Sequence, residues 1–475
     1  MLFNSISFVL FFIIVFIFYW STFSKTVNRR NLVLLISSYI FYGWWDYRFL
    51  SLIIFSTIVD FFVGHYIFYL KSFRSRKILL YISIFANLGV LSVFKYFNFF
   101  IENLINAFSL IGLNIDFVGL NIILPVGISF YTFQTLSYTI DIYRGSLKPT
   151  SNLLAFSTFV AFFPQLVAGP IERAVHLLPQ FRRLNNFDNI LALKGCWIIL
   201  RGFFKKIVIA DRLGEFVELV YDGNINAMDG SVVLVATILF TFQIYCDFSG
   251  YSDIAIGVAR LFGIKLNNNF NMPYIATSFR DFWQRWHISL SSWFRDYVYI
   301  SIGGNRNKMT RNIIITFLLS GLWHGANWTF IFWGLIHGTL LTIERMLKTI
   351  FKNYNALLFK ILPSRIIVFT FVVLSWVFFR SNSLENAIIF YDLIFFSKYN
   401  FNWVLDLGPI RLYNLIIGIF FISVLYFLEV YNKSIFQIFN KLSLNYKIII
   451  FSLLLNFLIL FGVFTKHSSF IYFQF

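Results

Sequence analysis

The chain has 475 residues, of which 59% are hydrophobic and only 13% charged, and its formal net charge is +18. Soluble domains carry roughly a quarter charged residues, so a water-facing globular fold is excluded, and apolar runs that do not alternate exclude a β-barrel. Lys and Arg crowding the loops of a multi-pass membrane protein explain the basic balance without nucleic acid.

The class predicted is all-α: a polytopic integral membrane protein, residues 1–475 forming one membrane-embedded domain. Residues 2–20 are apolar, with no basic segment ahead of them and no small-residue cleavage site. Lys25, Arg29 and Arg30 follow, so the run reads as a retained first span with its N-terminus outside. The run 31–45 closes on the aromatic belt Tyr42-Gly43-Trp44-Trp45-Asp46-Tyr47, and 49–70 closes on the basic cluster at 71–77. A fourth run covers 78–97, and 98–120 is amphipathic and interfacial. Leu124-Pro125-Val126-Gly127 then opens a wetter helix with Ser129, Thr132 and Gln134, either lining a cavity or hydrogen-bonding to neighbouring helices. The run 153–168 ends on Phe163-Pro164 and Gly169-Pro170, which breaks a regular helix and fits a re-entrant segment. Glu172, Arg173, His176, Arg182 and Arg183 form a polar loop before further spans at 190–210 and 231–248. Cys196 and Cys246 sit in apolar surroundings and suggest packing rather than a disulfide framework or a metal site. Asp247, Asp253 and Arg260 are expected to pair with one another or to face water, and a helix beginning near Tyr251 would place Asp253 in its first turn. Beyond residue 345 come a basic stretch with Arg345, Lys348, Lys352, Lys360 and Arg365, then runs at 366–379, 410–430 and 447–465. The expected total is roughly ten to twelve transmembrane helices plus re-entrant and interfacial ones.

The chemistry concentrates between Arg280 and Gly338. Arg280, Gln284, His287, Ser291 and Arg295 form one stripe of a helix over 280–297, and Phe282, Trp286, Leu290, Trp293 and Tyr297 form another. Such a helix lies at the interface, as an anchor or as a wall whose arginines hold an anionic ligand. Gly303-Gly304-Asn305-Arg306-Asn307-Lys308 is a flexible basic loop without P-loop spacing, so ATP chemistry is not indicated. From Arg311 the chain turns apolar, and a continuous helix places His324 about 18 Å beyond Asn312, near mid-membrane. An ionisable residue at that depth is functional by default. Asn327, three residues on, would share its face and orient the imidazole, Gly321 and Gly325 would admit a backbone or a substrate, and His337 would bond a neighbouring helix. No serine or cysteine nucleophile motif and no closely spaced ligand set accompanies His324, whereas general-base activation of a hydroxyl needs only one positioned histidine.

Phe248-Ser249-Gly250-Tyr251-Ser252-Asp253, Phe282-Trp283-Gln284-Arg285-Trp286-His287-Ile288-Ser289-Leu290-Ser291, Trp293-Phe294-Arg295-Asp296-Tyr297, Gly303-Gly304-Asn305-Arg306 and Gly321-Leu322-Trp323-His324-Gly325-Ala326-Asn327-Trp328 together resemble the membrane-bound O-acyltransferase family. The likeness is to the bacterial branch that acetylates alginate and peptidoglycan, and the closing Phe470-Ile471-Tyr472-Phe473-Gln474-Phe475 resembles it too. The resemblance implies a catalytic core at about 122–345, His324 as catalytic histidine and His287 as a second one near the same tunnel. With Trp323, Asn327, Arg285 and Arg295 as substrate-binding residues, the implied donor is a cytoplasmic thioester, acetyl-CoA, with no bound cofactor or metal. The implied acceptor is a hydroxyl of an exported polysaccharide, reached across the bacterial cytoplasmic membrane directly or through a periplasmic or extracellular partner. D-alanyl or other acyl transfer to teichoic acid is the alternative within the family, and transport of a lipid-linked sugar the alternative outside it.

Overall fold

The computed structural model describes the chain except residues 22–24, 115–118, 121, 168, 226–227, 351–363, 465–469 and 472–475. Lys352 and Lys360 of the basic stretch, Ala168 beside the Gly169-Pro170 turn, and residues 472–475 of the closing motif therefore lie outside the described residues. The described residues are helical and contain no strand. Six helical runs are long and apolar enough to cross a membrane, and Ile6–Trp20 is a shorter apolar helix. The expected ten to twelve spans are not reached on this measure. Ile128–Tyr143 and Met309–His324 have 16 residues each, about 24 Å against a hydrocarbon core of about 30 Å. The stretch 190–210 carries Lys194, Arg201, Lys205 and Lys206 and is not one of the six. The run Val27–Tyr69 is divided where Asp46 leaves helical geometry and caps Tyr47–Phe49, giving two 20-residue helices, Val27–Asp46 and Leu50–Tyr69.

The chain divides into two compact units interleaved in sequence. The first comprises Met1–Cys196, Ala255–Asn267 and Ser292–Ser301. Its polar centre is Asp60, fully buried on helix Leu50–Tyr69. The carboxylate accepts from the Ser83 hydroxyl, from Asn87 Nδ2 at 2.8 Å and from Thr139 Oγ1 at 2.9 Å, so helices Leu50–Tyr69, Phe73–Leu91 and Ile128–Tyr143 meet on one side chain. Gln134 donates to the Phe159 carbonyl at 2.7 Å. Of the polar side chains singled out after Gly127, Gln134 thus makes a helix-to-helix hydrogen bond, one of the two readings the sequence leaves open. The predicted break near Pro164 is present: helix Leu153–Ala161 ends at Phe162, and a four-residue turn Phe163–Leu166 follows.

The second unit comprises Trp197–Ile254, Asn268–Ser291 and Ile302–Phe475. One 32-residue helix, Gly230–Leu261, runs through the point where a new helix was expected near Tyr251, so Asp253 is a mid-helix residue and not a first-turn one. Its partners are not Arg260 or Asp247. Arg201 clamps Asp253 with Nη2 at 2.8 Å and Nε at 3.1 Å, and Lys205 bridges Asp253 at 3.1 Å and Glu429 at 2.7 Å. Lys206 bridges Asp211 at 2.8 Å and Asp247 at 2.7 Å. The two adjacent lysines thus reach four different acids from a stretch, Phe204–Ala210, where the helix widens into π-turns.

The Asp60 centre is testable. Asp60→Ala leaves three buried donors unmet, at about 1–3 kcal/mol for each unsatisfied group. The detergent-solubilised variant is expected to melt well below wild type and below Ser83→Ala; equal melting of all three would refute a load shared through Asp60.

Candidate active site

His324 stands at the tip of a helical hairpin. Helix Met309–His324 ends on it, Gly325 is extended (φ −163°, ψ 153°), and the chain returns as helix Trp328–Ile350. A Cβ on Gly321 would lie 2.2 Å from the Phe330 carbonyl oxygen, and one on Gly334 would lie 2.2 Å from that of Phe317. Only glycine permits this approach, so the room beside His324 is taken by a backbone. The continuous helix expected through His324 is therefore corrected. Asn327 is not one helical turn above the imidazole: its Oδ1 accepts from Thr329 N–H at 3.0 Å as a helix cap, and its Nδ2 donates to the Asn382 carbonyl at 2.9 Å. His324 is 2% exposed and Trp323 4%. Edge-on rings surround the imidazole: Trp323 and Trp333 at 5.0 Å between centroids and Phe379 at 5.2 Å.

His287 occupies a second break. The single in-plane helix expected over 280–297 is instead helix Phe279–Arg285, helix Ile288–Trp293 and π-turns Phe294–Tyr299. Between the first two, His287 adopts φ +41°, a left-handed conformation that a non-glycine residue holds only under constraint from its surroundings. Phe282, Trp286 and Leu290 are at most 1% exposed, so the apolar stripe packs inside protein and the surface-anchor reading falls. His287 Nδ1 lies 3.1 Å from Asn269 Oδ1. The same oxygen accepts from Ser289 N–H at 3.2 Å and from the Ser289 hydroxyl at 2.9 Å. The Ser289 N–H identifies this atom as the amide oxygen, which can only accept, so Nδ1 is the protonated nitrogen and Nε2 carries the lone pair. Burial pushes the imidazole down from 6.5 to about 3, which keeps it neutral. Phe248 packs edge-on at 4.6 Å, and Trp323 lies 6.0 Å from His287, so it touches both histidines. A neutral imidazole of fixed tautomer and a second buried imidazole across one indole suit proton removal from a hydroxyl in a dry site.

The other residues singled out in the sequence divide. His337 donates from Nε2 to Ser375 Oγ at 3.0 Å, the expected bond to a neighbouring helix, since the Ser375 hydroxyl itself donates to the Val372 carbonyl. Arg285 is held by Asp281 at 2.7 Å and the Asn271 carbonyl at 3.3 Å. Arg295 belongs to the other unit, where it is 64% exposed beside Asp296. Arg280, Arg306, Lys308 and Arg311 are exposed, and Asn312 ties the basic loop to its helix through the Gly304 and Asn307 carbonyls at 3.0 and 2.7 Å. Among the described residues no three His, Cys, Asp or Glu side chains are placed to hold a metal ion. Sequence reasoning missed Asn269, Trp333, Trp376 and Phe379. The run Asn267-Asn268-Asn269 in so apolar a chain was a signal for the first.

The model of the membrane-bound O-acyltransferase family matches residues 143–385, a range that includes both histidines. The chain is 43% identical over 372 residues to the Azotobacter vinelandii protein named "Probable alginate O-acetylase AlgI", covering 77% of this chain and 72% of that one. It is 37% identical over 402 residues to a peptidoglycan O-acetyltransferase of Helicobacter pylori, covering 78% and 75%. Against a teichoic acid D-alanyltransferase of Streptococcus thermophilus it is 33% identical over 285 residues, covering 54% and 68%.

The depressed His287 value has a signed consequence. Between pH 6.5 and about 3 the unfolded chain binds this proton and the folded chain does not, so stability falls as pH drops through that window. His287→Phe removes the uptake. Its melting temperature is expected to fall less steeply than that of wild type between pH 6.5 and 4; parallel curves would contradict a buried neutral imidazole.

Proposed function

Since the chain belongs to the membrane-bound O-acyltransferase family and is a multi-pass membrane O-acyltransferase, we propose that it moves an acetyl group from acetyl-CoA on the cytoplasmic side of a bacterial cytoplasmic membrane toward hydroxyls of an exported polysaccharide, with or without a periplasmic or extracellular partner. The observation that carries this reading is the pair of buried imidazoles, His324 and His287, on either side of Trp323. The acceptor oxygen attacks the thioester carbonyl carbon and its proton passes to an imidazole nitrogen. The carbon–sulfur bond breaks, and the CoA thiolate takes the proton as it leaves. His324 is assigned the role of base. Asn269 positions His287 with Nε2 as acceptor, to orient the attacking group or to carry the proton onward. Acetyl is favoured over D-alanyl because the likeness to the O-acetylases covers 77–78% of the chain, against 54% for the D-alanyltransferase.

The test is acyl transfer in inverted membrane vesicles supplied with labelled acetyl-CoA and a lumenal glycan. Wild type is expected to label the glycan and His324→Ala to lose that labelling while still inserting; normal labelling in the variant would remove His324 from the mechanism. Asn269→Leu releases the His287 tautomer and is expected to lower turnover about 10-fold or more, within the range general acid–base catalysis contributes, with the protein still folded; full turnover would leave His287 a packing residue.

A further inference from the structure

Three indoles lead from His324 into the core, and packing accounts for their rings but not for their N–H groups. Trp333 lies edge-on to His324 with ring centroids 5.0 Å apart, Trp376 lies 5.7 Å from Trp333, and Trp286 lies 5.0 Å from Trp376. All three are 0% exposed. An indole nitrogen is a donor only, and none of these three N–H groups meets an acceptor among the described residues. The imidazole of His337, 4.9 Å from Trp333 ring to ring, does not supply one: its Nδ1 makes no hydrogen bond to that indole. Buried indole N–H groups normally find partners, and phenylalanine would fill much of the same space without an unmet donor. Trp333 borders His324 directly and Trp376 and Trp286 follow behind it, so unmet indole donors begin at the histidine, and a donor-only group of this kind can hold an oxygen atom.

In acyl transfer the oxygen needing such donors is the carbonyl of the thioester. When the acceptor hydroxyl adds to the carbonyl carbon, the carbon–oxygen π pair moves onto this oxygen, and it returns when the carbon–sulfur bond breaks and the thiolate departs. Donors fixed in a dry site stabilise that charge with no reorganisation. We propose that Trp333 and Trp376, backed by Trp286, donate hydrogen bonds to the carbonyl oxygen of the acyl group during transfer. The proposal rests on the acyl-transfer reading above and adds which atoms hold the acyl oxygen.

The experiment uses the full chain in nanodiscs, with Trp333→Phe, Trp376→Phe and the double substitution. Carbonyl-labelled acetyl-CoA is bound in the His324→Ala background, where it is not consumed, and the thioester carbonyl stretch is read by infrared difference spectroscopy. The expected result is a shift to lower frequency with both tryptophans present and its loss in the double variant. In the His324 background, kcat is expected to fall about 100–1,000-fold for each phenylalanine, on the scale of losing one oxyanion donor, with KM and melting temperature little changed. A shift that survives the double substitution, or kcat unchanged while melting falls, overturns the proposal and leaves the indoles a structural role. Acetyl-CoA bound with an unshifted carbonyl sinks this proposal alone; no binding of acetyl-CoA at all sinks the donor assignment and this proposal with it.

Discussion

A glycine pressed against a carbonyl oxygen decides where His324 stands. Gly321 meets the Phe330 carbonyl and Gly334 meets that of Phe317, each at a distance no Cβ tolerates. Helices that approach this closely gain dispersion contacts along their whole length, and the tight hairpin fixes its own tip. His324 is the last residue of the first arm, so its position follows from backbone packing instead of loop conformation. Trp333 then falls one turn into the second arm, where its ring meets the imidazole. A site built on helix ends is more rigid than one carried on a loop.

Charge inside this protein is handled in two ways. In the first unit Asp60 is surrounded by hydroxyls and an amide, neutral donors from two other helices. In the second unit Arg201, Lys205 and Lys206 are matched by Asp253, Glu429, Asp211 and Asp247 at 2.7–3.1 Å. A buried ion pair gains little net stability over an apolar pair, but removing one partner is costly. These contacts therefore act as registration marks that a misplaced helix does not satisfy. The Asp247 carboxylate also accepts from the Ile471 N–H at 2.8 Å, and Phe470 stacks 4.6 Å from Tyr251, so one charged cluster also seats a late segment of the chain.

Much of this was legible in the residues. Helix Val27–Asp46 and its successor at Leu50 fall where apolar runs and an aromatic belt place them, because those signals are local. The importance of the Trp323-His324-Gly325 stretch was also legible, since a histidine in an apolar run is costly. Hydropathy does not register a break made by close packing, so the sequence around Gly325 reads as continuous helix. The signal lay in Gly334-Leu335-Ile336-His337-Gly338, two small residues one turn apart facing another helix. The stripes around His287 are plain in the sequence but their environment is not: an aromatic face looks alike whether it meets headgroups or other aromatic rings. Asn269 was invisible to periodicity because it acts across 18 residues of chain.

The cations at Arg201, Lys205 and Lys206 also bear on how the protein enters a bilayer. A single charged residue at the centre of an inserting helix costs about 2.5–3.5 kcal/mol on translocon scales, so the segment Asn189–Ala210, with Lys194 besides these three, partitions poorly alone. Asp211 follows the segment directly, but the counter-charges Asp247 and Asp253 arrive on the next long helix, and Glu429 only on Gly408–Lys441. The basic segment must wait at the membrane surface or in the translocon until its acidic partner emerges, and the two then enter as a neutralised pair. Insertion is thereby ordered by charge: a chain interrupted before Asp253 holds a segment whose cations lack most of their partners in the lipid.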